Sequence, residues 1–472
     1  MNPMNSRRGF LKSAVVGSPL FWALVRDMEA RGAAPSSGSS SSVLGGALAS
    51  SHHTAKAKQV IFVFFSGGVS HIDSFDPKPA LTRDHGKQIK LDHPEIKDRP
   101  GYEKIFLKRT TFPFTVQNQA GIPVSSLFPH LNQRMDQVAL IRSMHTEHSN
   151  HYNATLGMHT GSFNQARPSM GSWVSYGLGT LNSNLPNFLV LAPQDPYAGS
   201  QIFASDFLPG SNQGTRVISM TQPIPDLTSR VSANLQRTEL DLLARRNRRH
   251  LEERGGDPKL MARLRSFETA FGMQHAAPEA FDLSGETVAT KTAYGLETEP
   301  TKSFAWQCLM ARRLVERGVR FVEIVHTGSS GNWDSHGDMK DHERLAAQVD
   351  KPLAALIDDL RARGMLEDTL VVWTTEFGRT PFNNTADAPG REHHPWAFSS
   401  WMAGAGIKPG MIYGGTDEHG VRSVDQPVDV HDFHATILHL LGIDHLRLTY
   451  RHSGRDYRLT DVSGNVVNGI LA

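Results

Sequence analysis

Lys58-Gln59-Val60-Ile61-Phe62-Val63-Phe64-Phe65 becomes an unbroken β-branched and aromatic run from Val60 and stops at Ser66-Gly67-Gly68. Such a run, bounded by glycine and without polar alternation, predicts a strand covered on both faces, as in a parallel sheet. Shorter runs of the same character recur at Val138 to Ile141, Phe188 to Leu191, Val319 to Val325, Leu370 to Thr374 and Phe398 to Ala403. Helical patterns fall between them. Ser303 to Arg317 is one. Glu343 to Arg363 is another, with Leu345, Val349, Leu353, Leu356 and Leu360 at three- and four-residue spacing and Gly364 where a helix cap belongs. Strand and helix in alternation predict an α/β fold with a doubly wound, mostly parallel sheet. Residues 226–282 break the alternation. They are charged and carry Arg245-Arg246-Asn247-Arg248-Arg249 inside a helical pattern. They read as a helical insertion whose arginines form either a solvated face or a grip for an anionic partner.

The first forty-nine residues are of another kind. Ser6-Arg7-Arg8-Gly9-Phe10-Leu11-Lys12 precedes a moderately apolar stretch from Ala14 to Val25, the order of a twin-arginine export signal, and Pro35 to Ser42 is a Ser/Gly-rich linker. Residues 1–49 are therefore read as signal and linker, and 55–465 as a single domain. Cleavage near Gly32-Ala33-Ala34, cleavage after Ala47-Leu48-Ala49, and retention as a membrane tether all stay open. The expected partner of this segment is the twin-arginine export machinery, and the expected location is the periplasm or surface of a bacterial cell. The segment holds five basic side chains (Arg7, Arg8, Lys12, Arg26, Arg31) and two acidic ones (Asp27, Glu29). Without it, 49 basic and 47 acidic residues become 44 and 45, so a formal charge of +2 becomes −1. That balance gives no electrostatic case for a nucleic-acid partner. A mean hydropathy of −0.35, with no apolar run of about eighteen residues, gives none for a bilayer span outside the signal.

Twenty-three histidines stand against a single cysteine, Cys308, in 472 residues. One cysteine excludes a disulfide framework and any thiolate zinc site. The histidines cluster with carboxylates after predicted strands: Ser70-His71-Ile72-Asp73-Ser74-Phe75-Asp76 after the first, and His145-Thr146-Glu147-His148-Ser149-Asn150-His151 after Ile141. His326 and Asn332-Trp333-Asp334-Ser335-His336 follow Val325. Thr375-Glu376-Phe377-Gly378-Arg379 and Arg391-Glu392-His393-His394 follow Leu370 to Thr374. Open parallel sheets bind ligands beyond the carboxyl ends of their strands. Imidazole with carboxylate is the donor set for zinc, manganese or iron when thiolates are absent.

The unit from Asp350 to Gly378 resembles the helix–strand unit before the Thr-x-Asp-His-Gly metal motif of the alkaline phosphatase and sulfatase superfamily. Ser66-Gly67-Gly68, Asp73-x-Phe75-Asp76-Pro77-Lys78-Pro79, Arg142-Ser143-Met144-His145, Trp333-Asp334-Ser335-His336, Glu376-Phe377-Gly378-Arg379-Thr380-Pro381, Gly414-Gly415-Thr416-Asp417 and His434-Ala435-Thr436 are together similar to the exported family called domain of unknown function 1501. The resemblance implies an alkaline phosphatase-like sheet and one or two divalent ions (zinc, manganese, iron or calcium). Asp73, Asp76 and Glu376 would hold one ion; Asp334, His336 and His393 or His394 would hold the other. Glu376-Phe377 stands where the superfamily has Asp-His, which removes one donor. Ser149 is the candidate hydroxyl nucleophile or a plain helix N-cap, and His151 an alternative ligand or base. Arg379 or Arg391 is either a clamp for anionic oxygens or a structural salt-bridge residue. The expected activity is hydrolysis of an anionic ester, phosphate or sulfate. The alternative is a degenerate superfamily member acting as an exported binding or assembly protein.

Overall fold

The computed structural model describes residues 46–91, 102–221, 223–224, 231–253, 255, 258–385 and 387–472. The twin-arginine segment lies outside them up to position 45. The main sheet has nine strands: β1 (Gln59–Phe65), β2 (Val138–His145), β3 (Phe188–Leu191), β4 (Thr215–Val217), β5 (Phe321–His326), β6 (Thr369–Thr375), β7 (Phe398–Ala403), β8 (Met411–Tyr413) and β9 (Val428–Asp429). Their order is β8-β2-β7-β6-β1-β5-β3-β4, with β9 also paired to β2. The helices that cover it are α1 (His151–Thr160), α2 (Met170–Leu178), α3 (Ala233–Glu253), α4 (Pro258–Phe281), α5 (Val288–Tyr294), α6 (Lys302–Glu316), α7 (Lys340–Ala362) and α8 (Val430–Leu440).

The sheet is doubly wound, and β1 lies at its centre. Ile61, Val63 and Phe65 enter one core, shared with α6, α7 and the C-terminal part of α4. Val60, Phe62 and Phe64 enter the other, shared with α1, α2 and α8. The period of two along a strand thus divides one continuous apolar run between two cores. Emptying Phe62 or Phe64 to alanine would cost about 3–5 kcal/mol. The expected insertion contains α3 and α4. Gly364 follows α7 with φ +68°, the left-handed turn that lets the chain leave the helix.

One strand departs from the parallel reading. β7 runs antiparallel to both neighbours, β6 and β2. Its composition matches its parallel neighbours because burial on both faces, not strand direction, selects it. The reversal matters for function: the start of β7, not its end, lies at the edge where β1, β5 and β6 finish. Along that edge Phe65 is level with Thr375 on one side and His326 on the other. Ser66, Thr327 and Glu376 therefore leave the sheet together, and His393-His394-Pro395 enters beside them.

The fold is wider than 55–465 at both ends. Ala47 and Leu48 donate backbone hydrogen bonds to Tyr176 and Gly177 at the end of α2 (2.7 and 3.1 Å). At the other end Ile470 is buried, and Ala472 N–H reaches the Gly406 carbonyl at 2.8 Å. Among the described residues no helix is long and apolar enough to cross a membrane.

Candidate metal centre

Asp334 lies at the middle of the site, in the loop after β5. Trp333 fixes that loop: its indole lies flat on Phe65, with ring centres 5.2 Å apart. Indole Nε1 can only donate, and it donates to His326 Nδ1 at 3.0 Å, so His326 carries its proton on Nε2, facing Gln348 Oε1 at 3.1 Å. On the other side of Asp334, Ser335 Oγ lies 2.9 Å from His342 Nδ1, and His342 Nε2 accepts the Ser70 amide at 3.1 Å. Both rings are buried. Burial pushes His326 down to about 4 and His342 down to about 3, so both are neutral struts at ordinary pH.

Three imidazoles surround Asp334. His151 Nε2 lies 3.2 Å from Oδ2; His336 Nε2 and His393 Nε2 lie 2.9 and 3.1 Å from Oδ1. Each ring has its other nitrogen against an acceptor: His151 Nδ1 on Glu376 Oε1 at 2.7 Å, His393 Nδ1 on the Ser149 carbonyl at 2.6 Å, and His336 Nδ1 on Glu392 Oε1 at 3.1 Å. Ionised carboxylates and carbonyls only accept, so all three Nδ1 atoms carry hydrogen. When neutral, the rings turn three Nε2 lone pairs toward one carboxylate, and the His336 and His393 Nε2 atoms are only 2.9 Å apart. Lone pairs and anionic oxygens gathered this closely need protons or a cation between them. His151 Nε2 is buried, with Asp334 Oδ2 facing it at 3.2 Å. His151, Asp334 and His393 place one ligand atom each within 4.8 Å of one another, the one such triplet among the described residues. This donor set fits a divalent ion of the zinc, manganese or iron type.

Electrostatics agree with the geometry. Burial alone would raise the Asp334 carboxyl; hydrogen bonds from His151, His336 and His393, with the charge of Arg379, outweigh it and hold the group far below the usual carboxylate range. His336, hydrogen-bonded to Asp334 and then Glu392, is pushed up to about 9. Burial would lower His151, but its bonds to Asp334 and Glu376 raise it. Burial lowers His393, whose Asp334 bond opposes the shift while Arg379 adds to it. Tyr197 lies flat on His151, ring centres 4.2 Å apart and 4° between planes, and its hydroxyl accepts from Asn332 Nδ2 at 3.0 Å. Phe377 packs against both His151 and His393 at 4.8 Å.

The remaining expected residues are placed differently. Asp73 and Asp76 do not join the group, so the expected division into two ion sites is corrected to one cluster. Asp73 is fully buried and bonded to Arg391 Nε at 2.6 Å, Ser70 Oγ at 2.6 Å and the Thr111 amide at 2.6 Å. Asp76 takes Thr416 Oγ1 at 2.5 Å and Lys78 Nζ at 3.2 Å. His394 points away, its Nε2 on the Val421 carbonyl at 2.8 Å. Arg391 has no exposed surface and spends its guanidinium on Asp73 and the carbonyls of Thr380 and Arg109, so it is structural. Arg379, equally buried, holds Asp334 at 2.5 Å and the carbonyls of Gly67 and Gly68. It orients the Asp334 carboxylate and has no exposed surface to offer an anion. Ser149 does not cap α1; Asn150 does, accepting from Tyr152 and Asn153. Ser149 enters through its carbonyl.

Asn332 and Glu392 lie inside the expected strand-end clusters but were given no role there, and Tyr197 was not expected. Tyr197 follows β3, so the rule that led to the other clusters covers it; an isolated tyrosine between Pro196 and Ala198 carries no motif of its own.

The fold and site together define an α/β protein with a carboxylate–imidazole centre at the carboxyl edge of its sheet. The chain belongs to the family described as protein of unknown function DUF1501, whose model matches residues 57–471. No curated protein matches the sequence. Among solved structures it is similar to the lipoteichoic acid synthase LtaP from Listeria monocytogenes, at 10% identity over 86% of this chain and 76% of that one, with a TM-score of 0.38. It is also similar to the PsFucS1 sulfatase from Pseudoalteromonas sp. (10%, 82% and 68%, TM-score 0.33). A third is the C-terminal periplasmic domain of EcEptC from Escherichia coli, in complex with zinc (9%, 83% and 84%, TM-score 0.34).

Proposed function

We propose that this protein is an exported hydrolase of phosphate or sulfate esters that works with one divalent metal ion. The export reading rests on the Arg7-Arg8 segment. The metal reading rests on one observation: three imidazole Nε2 atoms converge on Asp334 while every Nδ1 is committed to an acceptor. His151, Asp334 and His393 would hold the ion, with His336 at the rim. When bound, the ion supplies Lewis-acid polarisation of an ester oxygen. The chain's own residues do the rest. Arg379 fixes the Asp334 carboxylate, and the faces of Tyr197 and Phe377 keep water off His151, which strengthens the electrostatics within. His336 is part-exposed, with Glu392 on its Nδ1. It holds a proton at Nε2 that a leaving oxygen can take.

The test is metal analysis of protein purified without chelators, followed by turnover of aryl phosphates and aryl sulfates before and after chelation. About one equivalent of a transition metal, with hydrolysis that tracks it, is expected. Far less than one equivalent overturns the reading. Stable binding with no turnover on any anionic ester leaves an exported binding protein instead.

A further inference from the structure

Glu376 was expected among the ligands, and its surroundings give it another task. Its side chain has no exposed surface. Oε1 accepts the Gly67 amide at 2.8 Å and His151 Nδ1–H at 2.7 Å; Oε2 lies 3.1 Å from Thr375 Oγ1. Oε1 thus takes two donors from the protein itself, while Oε2 shares the single Thr375 hydroxyl hydrogen with the Phe65 carbonyl, 2.8 Å from that hydroxyl. Gly67 is at φ +111°, and a Cβ there would fall 2.6 Å from the Trp333 nitrogen and 2.7 Å from the Asp334 nitrogen. That close approach sets the Asp334 loop directly against the end of β1. One buried carboxylate therefore ties the end of β1 to the ring of His151, and Gly67 sets the Asp334 loop against that same strand end.

We propose that Glu376 is a positioning residue: it locks His151 with its proton on Nδ1 and its Nε2 lone pair aimed at Asp334, and it does not itself bind the ion. This rests on the metal reading above. A carboxylate behind an imidazole fixes the ring and raises its basicity, and the loss of such a partner typically weakens metal binding by about 10–100-fold. The Ser149 carbonyl behind His393 and Glu392 behind His336 occupy the corresponding places for the other two rings, the first without a formal charge and the second partly exposed to solvent.

The test is Glu376→Gln, close in shape and without the charge. Zinc affinity is measured by competition with a chromophoric chelator, for the wild type, the variant, His151→Ala and the double variant. The variant is expected to retain one ion per chain, bound about 10–100-fold more weakly, and the Glu376→Gln effect should vanish in the His151→Ala background. Unchanged affinity, an equal loss in both backgrounds, or a wild type with two ions of which the variant loses one each overturns the inference. If Glu376→Gln does not accumulate, Glu376→Asp, with its shortened carboxylate, should give a loss of the same sign. Histidine 15N NMR of the metal-free wild type, at a pH where the ring is neutral, gives a reading that needs no ion. A His151 proton on Nδ1 is expected; one on Nε2 overturns the inference even if zinc binds. A wild type that binds no ion while showing the Nδ1 proton overturns the metal reading and the role proposed here, and leaves only a structural hydrogen bond.

Discussion

Asp73 and Asp334 are alike in sequence and opposite in structure. Each follows a strand of the central sheet, each has histidines nearby in the chain, and each is held by a buried arginine, Arg391 or Arg379. Around Asp73 the other donors are a hydroxyl and a backbone amide, Ser70 and Thr111. Around Asp334 they are three imidazoles. Hydroxyl and amide hydrogens do not leave at ordinary pH, so Asp73 is permanently paired. Burial would raise its carboxyl, but the Arg391 charge and the Ser70 and Thr111 bonds outweigh burial and lower it. Imidazoles give up a proton near neutrality, so the Asp334 cluster can exchange protons for a cation. The difference between a structural carboxylate and a candidate ligand lies in what surrounds it.

Substitution can break this contrast, and the largest effect falls at Asp334. Asp334→Ala should reduce bound metal from about one equivalent to near zero and abolish any ester hydrolysis; retention of a full equivalent would remove Asp334 from the centre. Asp73→Ala should do the reverse. It leaves Arg391 buried without its counter-charge, at a cost of about 3–5 kcal/mol in denaturant unfolding, while the folded fraction keeps its metal. Loss of metal from a well-folded Asp73→Ala protein would merge the two regions again.

The pH dependence sharpens the contrast further. His342, pushed down to about 3 in the folded protein against an unfolded value near 6.5, stays neutral when folded and binds a proton when unfolded. Its contribution is therefore complete above about pH 6.5 and is lost as pH falls from there toward 3. Each unit in that window costs about 1.4 kcal/mol. Urea unfolding at pH 7.5, 6 and 5 should show a shallower fall for His342→Gln than for the wild type, by about that slope. Parallel curves would mean that the ring is not a neutral strut. The smallest effect belongs to Ser149→Ala. Because Ser149 acts through its carbonyl, the change should leave metal affinity and turnover within about twofold. A loss of tenfold or more with metal retained would restore the hydroxyl as nucleophile.

Much of the fold was legible. β3 and β7 span the same residues as the apolar runs that predicted them, and β1, β5 and β6 differ only at their ends, because glycine and loop polarity mark those boundaries. The site was legible in part. Asp334, His336, His393, His151, Glu376 and Arg379 do meet. Asp73, Asp76, His394 and Arg391 share their composition and lie in the same kind of segment, yet each faces another partner. His393 and His394 make the reason plain. They are adjacent in an extended segment, so their side chains point to opposite sides, and nothing in a His-His pair says which one faces Asp334.

The sequence by itself determined the alternation of buried strands and amphipathic helices, and so the edge at which chemistry would gather, because periodicity and burial are properties of the local chain. The tertiary structure alone decided the rest: that β7 runs backward and brings His393 to that edge, that Asp334 and not Asp73 receives the imidazoles, and that Glu376 stands behind His151. Those outcomes depend on which donors reach which lone pairs across hundreds of residues, and hydrogen-bond partnership at that separation leaves no local pattern to read.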